Sequence, residues 1–244
     1  MEPKVERVRQ SFLSRVQPAL DALATIAIIA VSGTVAWSIA SNRRDLAPRP
    51  TTPAVRPQLV PPKEPLSLEG ANAEGNPQAK IAIIEYSDFQ CPFCGAFARD
   101  TLPTLRERYI RHGDVLLAFR HLPLPMHPFA RKAAVTAECA GQQKKFWPVH
   151  DLLFQRQQQL NEDEIDAVVK ISGIDERQLA DCIRSDATAK VASDATSAAS
   201  LGVNGTPTFL VGQVQSDGRV KVSQILSGAQ PIDQFERALS QIRH

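Results

Sequence analysis

No block of lysine and arginine interleaved with aromatics occurs anywhere in the chain. Its 28 basic and 26 acidic residues leave a formal charge of only +2. Nucleic acid is therefore not an expected partner, since a phosphate-binding surface needs clustered positive charge. Cysteine is scarce, with four in 244 residues. That is too few for a small fold held together by disulfides, yet an even number with one close pair leaves metal, redox and structural roles open. No internal repeat is present. The histidines, His112, His121, His127, His150 and His244, have no ligand spacing with one another and read mostly as surface or capping residues.

Charge is absent from one stretch. Residues 22–42, ALATIAIIAVSGTVAWSIASN, carry none. A helix crossing a bilayer needs about 20 apolar residues, and Trp37 suits an interfacial anchor. The competing reading is a cleaved signal peptide ending at Ser38-Ile39-Ala40, but the long preceding segment and the length of the run favour an uncleaved anchor. Basic residues flank both ends (Lys4, Arg7, Arg9 and Arg15 before, Arg43, Arg44, Arg49, Arg56 and Lys63 after), so charge does not orient it. Seven of the eighteen prolines fall within residues 46–65, which makes a stiff, extended spacer. The expected organisation is a terminal segment (1–21), a transmembrane helix (22–42), a proline-rich linker (43–65) and a globular domain (66–244).

Within that domain the pattern alternates. Lys80 to Tyr86 and Val115 to His121 read as strands, and Pro92 to about Tyr109 as a helix bent at Pro103. A long helical stretch follows from about Phe129 to Leu201, with capping-box spacing at Asn161/Glu164 and Asp175/Gln178. Thr208 to Val211 and Lys221 to Leu226 form a hairpin turning at Ser216-Asp217-Gly218, and a last helix aligns Ile232, Phe235, Leu239 and Ile242. This is an α/β domain with a helical insertion over about 127–200. Phe146, Trp147, Leu152, Leu153 and Phe154 read as the core of the insertion.

The close cysteine pair sits in YSDFQCPFCGAF, residues 86–97. Cys91 falls where a buried strand meets a helix, with Pro92 at a favoured first helical position. Unpaired N–H groups and the helix dipole favour an anion there, so the Cys91 thiolate is stabilised. Cys94 follows one turn along on the same side, further into the protein, and can attack a mixed disulfide formed at Cys91.

Four stretches in order, IIEYSDFQCPFC, FRHLPLPMHPFARKAA, KKFWPVHDLLF and GVNGTPTFLVG, resemble the DsbA-like branch of the thioredoxin superfamily. The resemblance covers about residue 66 to the C-terminus and implies a thioredoxin-like fold with catalytic Cys91 and Cys94. It also implies a cis Thr206–Pro207 bond facing the cysteines, with Thr206, Pro207, Pro92 and Phe93 binding an extended substrate. Glu85 breaks its apolar strand; alone it fits a solvent-facing acid equally well, whereas the resemblance implies a buried acid beneath Cys94 that relays its proton. Cys139 and Cys182 lie on apolar helical faces. Two buried thiols, a structural disulfide of the kind some members of this branch carry, and a four-cysteine zinc site are the options; an oxidising compartment favours the disulfide, and no second C-x-x-C supports zinc.

The function expected is a thiol:disulfide oxidoreductase that forms disulfides in secreted or envelope proteins. No metal and no bound cofactor are expected, since the cysteines carry the electrons. The implied partners are reduced extracytoplasmic proteins and a membrane quinone-linked re-oxidising protein. That chemistry places the N-terminus in the cytoplasm and the catalytic domain on the periplasmic side of the inner membrane. A reductase or isomerase of the same fold, for example in cytochrome maturation, and a tethered binding module with locked cysteines are the alternatives.

Overall fold

The computed structural model describes residues 59–242. The expected terminal segment, the transmembrane helix and most of the linker lie outside these residues. No helix among the described residues is long and apolar enough to cross a membrane. The end of the expected linker belongs to the domain: Leu59 packs against the apolar layer that contains Ala198 and Val203. Packing against the domain thus starts earlier than Leu66.

Among the described residues, five strands form one sheet: β1 (Asn72–Glu74), β2 (Ile81–Ser87), β3 (Val115–His121), β4 (Thr208–Val214) and β5 (Val220–Ser227). Their order is β1-β3-β2-β4-β5. Only β2 and β3 run parallel; the other neighbours are antiparallel. β2 is buried along its whole length, as its run of isoleucines requires for a strand covered on both faces. Alternation divides it: Ile81 and Ile83 join Phe97, Leu102, Phe209 and Phe235 on one face, while Ala82, Ile84 and Tyr86 join Ala198 and Leu210 on the other. The short β1 is an addition to the expected strands, since three residues with one apolar side chain carry no periodic signal.

The helical run after β2 departs from a simple proline bend. α1 (Pro92–Ala96) passes into a π-helical turn (Phe97–Thr101), then α2 (Leu102–Leu105) and a second π turn (Arg106–Ile110). Pro103 cannot donate to the ladder, and the widened turn just before it absorbs the mismatch, with Leu102 N–H reaching back to the Phe97 carbonyl.

The expected helical stretch is in fact five helices: α3 (Ala130–Gln142), α4 (Phe146–Gln155), α5 (Glu162–Ser172), α6 (Glu176–Arg184) and α7 (Ala187–Ser200). Asn161 and Asp175 accept from N–H groups of the turns they cap, as their spacing predicts, and Gly173 ends α5 in the left-handed conformation. α8 (Ile232–Ile242) closes the described chain, burying Phe235 and Leu239 against the sheet. The insertion builds its own apolar cluster, which includes Phe146, Leu153 and Phe154 and extends to Phe89, Cys91 and Cys94.

Cys139 in α3 and Cys182 in α6 are joined, with an S–S distance of 2.09 Å at a sequence separation of 43. The bridge uses two thiols that a four-cysteine zinc site would need. It links helices that share this cluster. Replacing both with alanine should lower the denaturation free energy by about 2–5 kcal/mol, the range for native bridges. Urea titration checks this. Unchanged stability would mean that packing alone holds the insertion.

Candidate active site

β2 delivers the chain through Asp88, Phe89 and Gln90 to Cys91, which is the residue before α1, with Pro92 at its start. The turn is tied down by Asp88. Its carboxylate accepts from Gln90 N–H (2.8 Å), Leu124 N–H (2.8 Å) and His127 Nδ1 (2.7 Å). Gln90 adds a second tie, accepting from Phe129 N–H. The loop between β3 and α3 is thereby fastened beside the cysteines. Asp88 thus caps the loop, and His127 lies beside the active turn.

The two thiols are free and differ in environment. Cys91 is pulled down to about 5: the Cys94 thiol contributes most, burial opposes, and Thr206 and the backbone N–H groups of Cys94 and Phe93 lower it further. Burial pushes Cys94 well above the ordinary thiol range, and the neighbouring Cys91 and Glu85 add to that rise. One sulfur is thus a thiolate at neutral pH and the other a thiol.

Thr206 and Pro207 stand over Cys91. The Thr206–Pro207 bond is cis, and the Cys91 thiol lies 3.3 Å from the Thr206 carbonyl. Phe93 projects outward at 65% exposure, next to exposed Pro92, so the dipeptide between the cysteines is offered to solvent. All four residues expected to bind substrate therefore surround the reactive sulfur or face outward beside it.

Glu85 is fully buried, which decides between the two placements left open by its sequence position. Its strand neighbours are Phe119 on β3 and Phe209 on β4, and both carboxyl oxygens lack hydrogen-bond partners. Desolvation raises it to about 7, against smaller lowering influences from Ser87 and Arg106. A carboxyl with that affinity, close enough to raise Cys94, can hold or release a proton near neutrality. His150, read from the sequence as a surface or capping group, and His121, a candidate with His127 for the active face, are buried among Phe119 and Phe146. Each ring pairs with one carboxylate: Glu138 for His121, Asp151 for His150.

A five-stranded sheet carrying C-P-F-C at a helix start, faced by a cis-proline loop, is a thioredoxin arrangement, and a thioredoxin family profile matches residues 68–228. The chain belongs to the thioredoxin family. Its fold is that of the DsbA-like members. Alpha-DsbA1 of Wolbachia pipientis superposes with a TM-score of 0.63 at 24% identity, covering 72% of this chain and 92% of that one. Oxidised BdbD of Bacillus subtilis gives 0.62 at 20% identity, covering 75% and 97%. At these identities the likeness is one of fold. By sequence, a Na(+)/H(+) antiporter NhaA 3 of Salinispora tropica is 33% identical over 149 residues, 60% of this chain and 22% of the antiporter. The chain spans about a quarter of the length of the curated relatives it matches. Antiport is named for those longer proteins.

The Glu85 environment predicts a pH dependence. Its folded affinity for a proton exceeds that of the unfolded carboxyl, so stability falls as pH rises from about 4.5 through about 7. In the oxidised protein neither Cys91 nor Cys94 titrates, which isolates this effect. There, Glu85→Gln should gain on the parent with rising pH, by on the order of 3 kcal/mol across that window. A stability difference that stays flat between pH 4.5 and 7 would show that Glu85 is solvated.

Proposed function

We propose that this thioredoxin-family protein is a membrane-tethered thiol:disulfide oxidoreductase that introduces disulfides into extracytoplasmic proteins. The observation that carries the reading is the contrast within the C-P-F-C turn, a stabilised thiolate at Cys91 beside a buried, proton-holding Cys94. Stabilising the thiolate favours the reduced dithiol over the Cys91–Cys94 disulfide. The disulfide is then the stronger oxidant.

The reaction balances on the two cysteines. A substrate thiolate attacks Cys91 Sγ of the oxidised protein, and Cys94 leaves. Glu85, protonated near neutrality, supplies the proton that Cys94 takes up. A second substrate thiolate then attacks its own partner sulfur in the mixed disulfide, expelling Cys91 as a thiolate. Two electrons pass to the protein, one substrate thiol proton restores the one Glu85 gave to Cys94, the other goes to solvent, and the substrate gains a disulfide. The low proton affinity of Cys91 makes it the better leaving group.

Substrate would lie extended beside Thr206 and Pro207, with Phe93 against its side chains. A membrane quinone-linked partner would remove the electrons. The uncharged run over 22–42 supports the tether, and disulfide formation requires an oxidising space outside the cytoplasm.

The reduction potential decides the direction. Oxidases of this chemistry lie near about −120 mV and reductases near about −270 mV, a difference of about 7 kcal/mol for a two-electron couple. The full chain is expected close to the first figure. A value at the second would overturn the oxidase reading in favour of a reductase. Cys94→Ser should accumulate mixed disulfides with a disulfide-bonded peptide, because Cys91 attacks it and the resolving thiol is missing, whereas Cys91→Ser should form none. A parent protein whose cysteines do not exchange with peptide would be a binding module.

A further inference from the structure

One residue of the insertion reaches the active turn from behind. Gln157 lies in a short 3-10 turn, Gln157–Gln159, between α4 and α5. Its side-chain amide donates to two carbonyls, Phe89 (2.8 Å) and Cys91 (2.9 Å). Those carbonyls bracket Gln90, the residue immediately before the reactive cysteine. The Cys91 carbonyl also accepts Gly95 N–H at 3.1 Å, closing the first turn of α1. Gln157 thus occupies the second acceptor position of a carbonyl that begins the helix.

Gly95 makes the approach possible. A Cβ there would lie 2.0 Å from Gln157 Oε1 and 2.7 Å from its Cδ. Gly95 is helical, so it is close approach and not backbone conformation that calls for glycine. Every other side chain at this position would displace the amide or the turn that carries it.

We propose that Gln157 is a positioning residue for the reaction, holding the Cys91 turn so that the first N–H groups of α1 stay aimed at the reactive sulfur. The inference rests on Cys91 being the nucleophile. The N–H groups of Phe93 and Cys94 stabilise the thiolate only while the turn keeps its geometry, because such bonds weaken steeply with misalignment. The amide of Gln157 fixes both carbonyls with one rigid group. The insertion, which adds no reacting atom, in this way acts on the chemistry. Little in the sequence points to it, since Gln157 is one of four glutamines in FQRQQQL.

Gln157 also lines a cleft of about 420 Å³ with Arg99, Phe154 and Arg156, so truncation opens onto that cleft and leaves no sealed void. The test is alkylation of the reduced full chain against pH, with mass mapping reporting Cys91 separately from the other thiols. Gln157→Ala should move the Cys91 midpoint up by about one pH unit, a tenfold loss of thiolate at pH values below it. Gly95→Ala should do the same. Combining the two should add no further movement, since each removes the same contact. Gln157→Met, similar in size, uncharged and without the donors, should behave like Gln157→Ala and serves if the alanine variant folds poorly. An unmoved midpoint in both Gln157 variants, with or without lost stability, overturns the inference and makes Gln157 a structural tie. Additive midpoints for Gly95→Ala and Gln157→Ala also overturn it. A parent protein in which Cys94 is alkylated first would instead overturn the assignment of the nucleophile.

Discussion

Two sulfurs one helical turn apart must hold different protonation states, and most of the architecture around them follows from that requirement. Sequence spacing alone would make them near-equivalent thiols. The difference arises because the end of β2 presents Cys91 to the open N-terminus of a helix while the same helix carries Cys94 inward. Backbone N–H donors at the helix start stabilise charge on the first sulfur, and deeper burial denies it to the second. The helix dipole contributes modestly, on the order of 1 kcal/mol, so local hydrogen bonds and neighbouring groups complete the separation.

Keeping that geometry is the work of the surrounding elements. Asp88 ties the turn to the loop after β3, Gln90 ties it to Phe129 N–H, and Gln157 reaches it from the insertion. The insertion is itself stiffened by the Cys139–Cys182 bridge within the cluster that contains both active cysteines. The bridged pair thus belongs to the same packed cluster as the two free thiols of the C-P-F-C turn. Beneath the pair, Glu85 sits among aromatic residues, where desolvation brings a carboxyl into the range useful for proton transfer with a thiol.

The relatives place this domain in more than one setting. A stretch comparable to most of it occurs inside much longer proteins named as antiporters. Its fold alone recurs in DsbA-like proteins. A compact unit of this kind keeps its site within its own elements.

The amino-acid sequence by itself determined the elements whose signal is local. An isoleucine run marks β2, Asn161 and Asp175 mark helix starts, and C-P-F-C after a buried strand marks the site. Tertiary structure decided everything that depends on which face meets what. Glu85 could have pointed to water until β3 and β4 enclosed it between Phe119 and Phe209. Cys139 and Cys182 became partners only once α3 and α6 came together. The role of His127 on Asp88, and of Gln157 on the Cys91 carbonyl, joins residues 39 and 66 positions apart. Periodicity reports the surroundings of a residue along its own element, whereas these contacts are set by the packing of separate elements, which no local pattern encodes.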